Sequence, residues 1–129
     1  MNFITFTEEK LRGFTHSVFI KMGCSEEHAT LATDVLVRSD LRGIDSHGVA
    51  RLSGYYRLWE KKRINATPNI RVVHETPTTA TVDGDAGLGL VVAPFAMQVA
   101  IEKAEKYVIQ RHLSHSSERQ DLKKIYLYS

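Results

Sequence analysis

Leu11, Phe14, Val18, Phe19 and Met22 recur three or four residues apart, the spacing of one face of an α-helix. Thr7 stands ahead of them as an N-cap, with Glu8 and Glu9 in the first turn, Phe6 placed to staple onto Leu11, and Gly23 as the stop. The pattern restarts at Ser25, again a cap followed by two glutamates. Its stripe is Ala29, Ala32, Val35 and Leu36, and Arg42 and Gly43 end it. The link between these helices is short, which predicts that they pack as a pair. Val49, Leu52, Tyr56 and Trp59 predict a third helix from about Ser46 to Lys62, whose "EKKR" end sets cations where the helix dipole favours them.

After "INATPN" the period changes. "IRVVHE" and "TATVD" are short and rich in valine and threonine, and "TPT" between them reads as a turn joining two strands. "GDAGLGL" then leads into a fourth helix over "APFAMQVAIEKAEK", in which Pro94 is tolerable only in the first turn. From Tyr107 onward "VIQRHLSHSSERQDLKKIYLYS" has no sustained apolar period, and no firm structure is assigned to it.

The chain has 129 residues, enough for one modest domain of the usual 100 to 200 or so. Hydrophobic residues at 43% and charged residues at 25% match an average globular protein, which argues against a disordered or fibrous chain. A net charge of +2 is too small to indicate nucleic acid as a partner. Cys24, the single cysteine, cannot form an internal disulfide, and no apolar run approaches the length of a membrane span. "MNFITFTEEK" lacks the basic start and apolar core of a signal peptide, so the expected location is the cytoplasm, with no membrane partner.

Chemistry concentrates in "DLRGIDSHGVARL". With Asp45 or Ser46 as N-cap, His47, Arg51 and Tyr55 follow at four-residue steps and form a polar stripe about 120° from the apolar face. A helix start attracts a carboxylate or phosphate through its unpaired N–H groups, and an arginine one turn on adds a bidentate clamp. A histidine there is discouraged from protonating, which suits proton exchange with a bound substrate. Gly43 and Gly48 would let a ligand approach the backbone. The same spacing also fits a plain reading: Ser46 caps, His47 is a first-turn surface residue, and Arg51 pairs with Asp45 or Asp40.

Other stretches carry less. "DGDAGLGLVV" stands between a strand and a helix like a dinucleotide fingerprint, but Val92 occupies the third glycine position, and no second strand ending in an acidic residue follows. His112 and His115 are three apart without a carboxylate to complete a metal site, so no metal is expected. His16, His28 and His74 read as solvated surface residues, and Cys24 as a small packing residue.

"RSDLRGIDSHGVARLSGYY" followed by "TATVDGDAGLGLVVAPFAMQVAIEKAEKY" resembles the N-terminal part of the malate/L-lactate dehydrogenase family, which also contains ureidoglycolate, sulfolactate and diketogulonate dehydrogenases. The resemblance covers roughly residues 3 to 107, and "RGIDSHGVARL" is its most specific element. It implies an NAD- or NADP-dependent oxidoreductase acting on a small 2-hydroxy or 2-oxo acid, usually as a homodimer. His47 is then implied as catalytic acid/base, with Ser46 and Arg51 in the substrate pocket and Arg51 suited to the carboxylate. No residue is implied for the cofactor.

The implied fold class is α/β, or α+β within this chain. A helical N-terminal region over 1–66 leads into the beginning of a mixed-sheet, non-Rossmann oxidoreductase domain, a hairpin plus helix over 67–107. Where the family continues with a strand and an Asn-x-Asn-His-type motif, residues 108–129 form an unrelated tail, so the sequence reads as a truncated member. The competing reading is an inactive remnant or helical interaction module, self-associating through exposed Val72, Val91, Phe95 and Val99.

Overall fold

A computed structural model describes residues 5–114, with side chains through Tyr107. It contains α1 (Glu8–Lys21), α2 (Glu26–Leu41), α3 (Leu52–Glu60), β1 (Arg71–Glu75), β2 (Ala80–Asp83) and α4 (Gly89–Ser114), with two short 3-10 turns, Asp45–His47 and Val49–Arg51, between α2 and α3. The chain divides into two compact units. The first runs through Pro68 and takes in Ala86–Val91, and the second holds Asn69–Asp85 and continues from Val92.

In the first unit α1 and α2 pack against each other, as their short link predicts. Thr7 Oγ1 accepts from the Lys10 N–H, and Ser25 Oγ accepts from the His28 N–H, so both expected caps form. Both helices end through a left-handed glycine. Gly23 (φ 92°) donates to Ile20 while Cys24 donates to Phe19. Gly43 (φ 74°) donates to Asp40 while Ile44 donates to Ser39. This paired closure satisfies carbonyls that a helix end otherwise leaves orphaned. α3 closes the same way with Lys62 (φ 56°), where a Cβ makes the conformation less favourable.

The buried face of α1 is narrower than its apolar pattern. Thr15, Phe19 and Met22 are buried, whereas Phe14 is 61% exposed and Phe6, the expected staple, is 63% exposed. α2 buries Ala29, Ala32, Thr33, Leu36 and Val37, so Val37 rather than Val35 completes its stripe. Leu52 of α3 and Leu88 and Val91 are also buried, which removes Val91 from any exposed apolar surface. Across α1 and α2, Asp34 binds Arg12 at 3.0 Å and His16 Nε2 lies 3.0 Å from Glu26, while within α2 Asp34 also binds Arg38 at 2.6 Å.

In the second unit β1 and β2 form an antiparallel hairpin with a register shift between Val72 and His74. Its turn is closed by the Thr76 N–H donating to the Thr79 carbonyl at 2.9 Å and by their hydroxyls at 2.7 Å, and Arg71 pairs with Asp83 across the strands. Lys103 of α4 reaches back to Glu75 and to the Thr76 carbonyl, both at 2.8 Å. α4 begins earlier than its sequence suggests, placing Pro94 in the second turn, where Leu90 loses its usual i+4 donor. Its backbone also stays helical past Tyr107 to Ser114. The first seven residues of the expected tail are therefore helical in backbone, whereas the His112 side chain and the remainder of the tail, 115–129 with His115, lie outside the described residues. Among the described residues no helix is long and apolar enough to cross a membrane.

Candidate functional site

The third helix is not continuous from Ser46. Asp45–His47 makes one 3-10 turn, Gly48 is extended (φ −91°, ψ −150°), and a second 3-10 turn over Val49–Arg51 leads into α3. His47 therefore does not sit in the first turn of an α-helix. The backbone N–H at the true start is taken already: Val49 donates to Asp40 Oδ2 at 2.9 Å. The anion expected at this helix start is a carboxylate of the chain itself. Gly48 makes room for that carboxylate, since a Cβ built on it would fall among the Asp40 side-chain atoms. It serves the chain's own packing there, not the approach of a ligand to the backbone.

Ser46, His47 and Arg51 are nonetheless brought together, all three exposed. Ser46 Oγ and His47 Nδ1 are 3.0 Å apart, and Arg51 Nε donates to the Ser46 carbonyl at 2.7 Å. Arg51 pairs with neither Asp45 nor Asp40, and among the described residues only its Nε is engaged, which leaves the terminal guanidinium nitrogens as donors suited to a carboxylate. The serine engages the imidazole at Nδ1, and among the described residues no hydrogen bond is made by Nε2 of this exposed ring. A histidine has one proton to place when neutral and two when charged. If Nδ1–H donates to Ser46, Nε2 carries a lone pair and can take a proton. Once Nε2 is protonated, the Nδ1–H donation is unchanged, so one serine contact serves both states. The sequence singled out these three residues but missed Asp40, which lies nine positions before the N–H it caps. Its only signal was an unpaired acid at the end of α2.

In the Asp83–Gly89 turn one backbone donor is already committed: Asp83 Oδ1 accepts from the Asp85 N–H at 2.9 Å. Asp85 Oδ2 in turn accepts from the Asn69 N–H ahead of β1, also at 2.9 Å, which ties the turn to the start of the hairpin. A Cβ on Gly84 would meet Val92 Cγ1 at 2.8 Å, which assigns that glycine to close strand–helix packing. Asp85 and Ala86 take left-handed conformations at φ 49° and 53° to complete the turn. Among the described residues no group of three or more histidine, cysteine or acidic side chains could hold a metal ion. Cys24 is buried and free, and burial pushes its thiol up from the ordinary value.

Comparison with known proteins gives a consistent result. The family model described as malate/L-lactate dehydrogenase matches residues 6–116. A malate dehydrogenase of Pyrococcus horikoshii is 42% identical over 118 residues, which take in 88% of this chain and 33% of that protein. An L-sulfolactate dehydrogenase of Methanocaldococcus jannaschii is 46% identical over 88 residues, 68% of this chain and 26% of that protein. The solved structure of the Pyrococcus horikoshii OT3 malate dehydrogenase superposes with a TM-score of 0.76 at 43% identity, covering 80% of this chain and 30% of that one. The chain spans about a third of the length of the curated relatives it matches.

Proposed function

Because this chain belongs to the malate/L-lactate dehydrogenase family, we propose that it carries the proton-transfer and carboxylate-binding part of a 2-hydroxy-acid dehydrogenase site. The observation that carries the reading is the Ser46–His47 hydrogen bond with Arg51 of the next turn held to the Ser46 carbonyl, all three side chains exposed. In the oxidative direction Arg51 holds the substrate carboxylate through its terminal nitrogens. His47 Nε2 takes the proton of the neighbouring hydroxyl as the C–O bond becomes a carbonyl, and Ser46 accepts from Nδ1–H throughout. In the reductive direction His47 returns that proton to the carbonyl oxygen of a 2-oxo acid. The reading requires NAD or NADP as hydride partner. No residue of this chain is assigned to it. Malate and sulfolactate, named in the relatives, guide the choice of substrates.

The test is turnover of L-malate and of oxaloacetate with each nucleotide, in the full chain and in His47→Gln. Loss of a positioned acid/base is expected to lower kcat by about 100- to 10,000-fold. Undiminished turnover in the variant contradicts the role of His47. A second reading, a non-enzymatic module, is favoured by exposed Phe95, Met97 and Ile101 on α4. Thermal shift separates the two: stabilisation by NADH or NADPH supports the dehydrogenase, and no shift together with concentration-dependent oligomers supports the module.

A further inference from the structure

We propose that Asp40 is the positioning residue of this site, with Gly48 as its obligate neighbour, an inference that rests on the dehydrogenase reading given above. Nothing in the Asp45–His47 turn is buried, so apolar packing does not hold His47 where it stands. Hydrogen bonds must do so, and Asp40 supplies them at both ends of the segment. Its backbone carbonyl accepts from the Gly43 N–H at 2.9 Å, which fixes the exit from α2. Its carboxylate accepts from the Val49 N–H at 2.9 Å, which fixes the start of the turn that carries Arg51. Between those clamps the His47 N–H donates to Ile44, the Gly48 N–H donates to Asp45, and Arg51 holds the Ser46 carbonyl. One residue, through its carbonyl and its carboxylate, therefore sets the imidazole and the guanidinium in a common frame, and the carboxylate is the half that a side-chain substitution removes. Gly48 is buried and extended, a conformation open to any residue, so what it contributes is the space that the Asp40 carboxylate fills.

The test is heteronuclear NMR of the His47 ring nitrogens and the Val49 amide in the full chain, comparing wild type with Asp40→Ala, Asp40→Asn, Gly48→Ala and the double variant Asp40→Ala/Gly48→Ala. The amide oxygen of Asp40→Asn can still accept from Val49, so this variant is expected to retain wild-type ring shifts. Asp40→Ala and Gly48→Ala are each expected to move the Val49 amide and to average the two ring nitrogens. Adding Gly48→Ala to Asp40→Ala is expected to change nothing further, because the carboxylate it would strike is gone. Core signals from Phe19 and Met22 report that α1 and α2 remain folded. Ring and amide shifts left at wild-type positions in Asp40→Ala overturn the proposal. If that variant does not fold, the same result in Gly48→Ala overturns it. An L-malate titration read on the same resonances is expected to respond in wild type and Asp40→Asn and to fail in Asp40→Ala. A wild-type chain silent to malate counts against the dehydrogenase reading alone, since the ring shifts still decide the role of Asp40.

Discussion

The hydroxyl of Thr33 is enclosed within α2 and finds no hydrogen-bond partner among the described residues, and the hydroxyl of Thr15 in α1 is in the same position. A threonine inside a helix commonly bonds the carbonyl four residues back. Neither of these does, so each carries the desolvation of a polar group with nothing to offset it. Valine has the same shape without that group. Thr33→Val is therefore expected to stabilise the chain by about 1 kcal/mol, seen as a higher midpoint in thermal unfolding. A lower midpoint would mean that the hydroxyl has a partner in solution. The same residues explain the misread stripe of α1. Apolar spacing selected Phe14 and passed over Thr15, because a pattern of hydrophobic letters scores the hydroxyl of threonine and ignores its methyl group.

At the scale of elements, what is local in sequence was legible and what is not local was hidden. Thr7, Ser25, Gly23 and Gly43 act within a few residues of their own positions, and each bounds its helix as expected. The break before α3 depends on Asp40 reaching over nine residues to Val49, which no helical period encodes. The ion pairs between α1 and α2 are likewise visible only in three dimensions. Burial raises the Asp34 carboxyl, but hydrogen bonds from Arg38 and Arg12 outweigh it and leave the group below its ordinary value. A carboxyl depressed in the folded state stabilises that state above the unfolded value and loses this contribution as pH falls through the folded one. At neutral pH Asp34→Asn is expected to lower stability by about 1 kcal/mol, less in high salt. The gap between variant and wild type should close as the pH drops below about 4. Paired thermal melts across pH check this, and a gap that persists at low pH would remove Asp34 as its source.

For the whole molecule, the sequence pointed to the family and to Ser46, His47 and Arg51, because all three fall in one contiguous motif. It could not reveal that Ser46 holds the imidazole and that Arg51 leans on the Ser46 carbonyl, since these are contacts and not spacings. The dinucleotide turn was doubtful on its third glycine, and the structure adds that one of its donors, the Asp85 N–H, is held by the Asp83 carboxylate. The first unit also contains a means of timing its own opening. Cys24 is the one sulfhydryl in the sequence, and it is enclosed where α1 hands over to α2. Alkylation needs the thiolate, which burial both shields and disfavours. A maleimide or iodoacetamide should therefore label the native chain far more slowly than the urea-unfolded one, and Thr33→Val should slow it further. Labelling of native protein at the unfolded rate would show that α1 and α2 part readily. Each modified molecule then records one separation of the two helices, so a mass spectrometer can count openings in a chain whose Ser46–His47 turn rides on the end of α2.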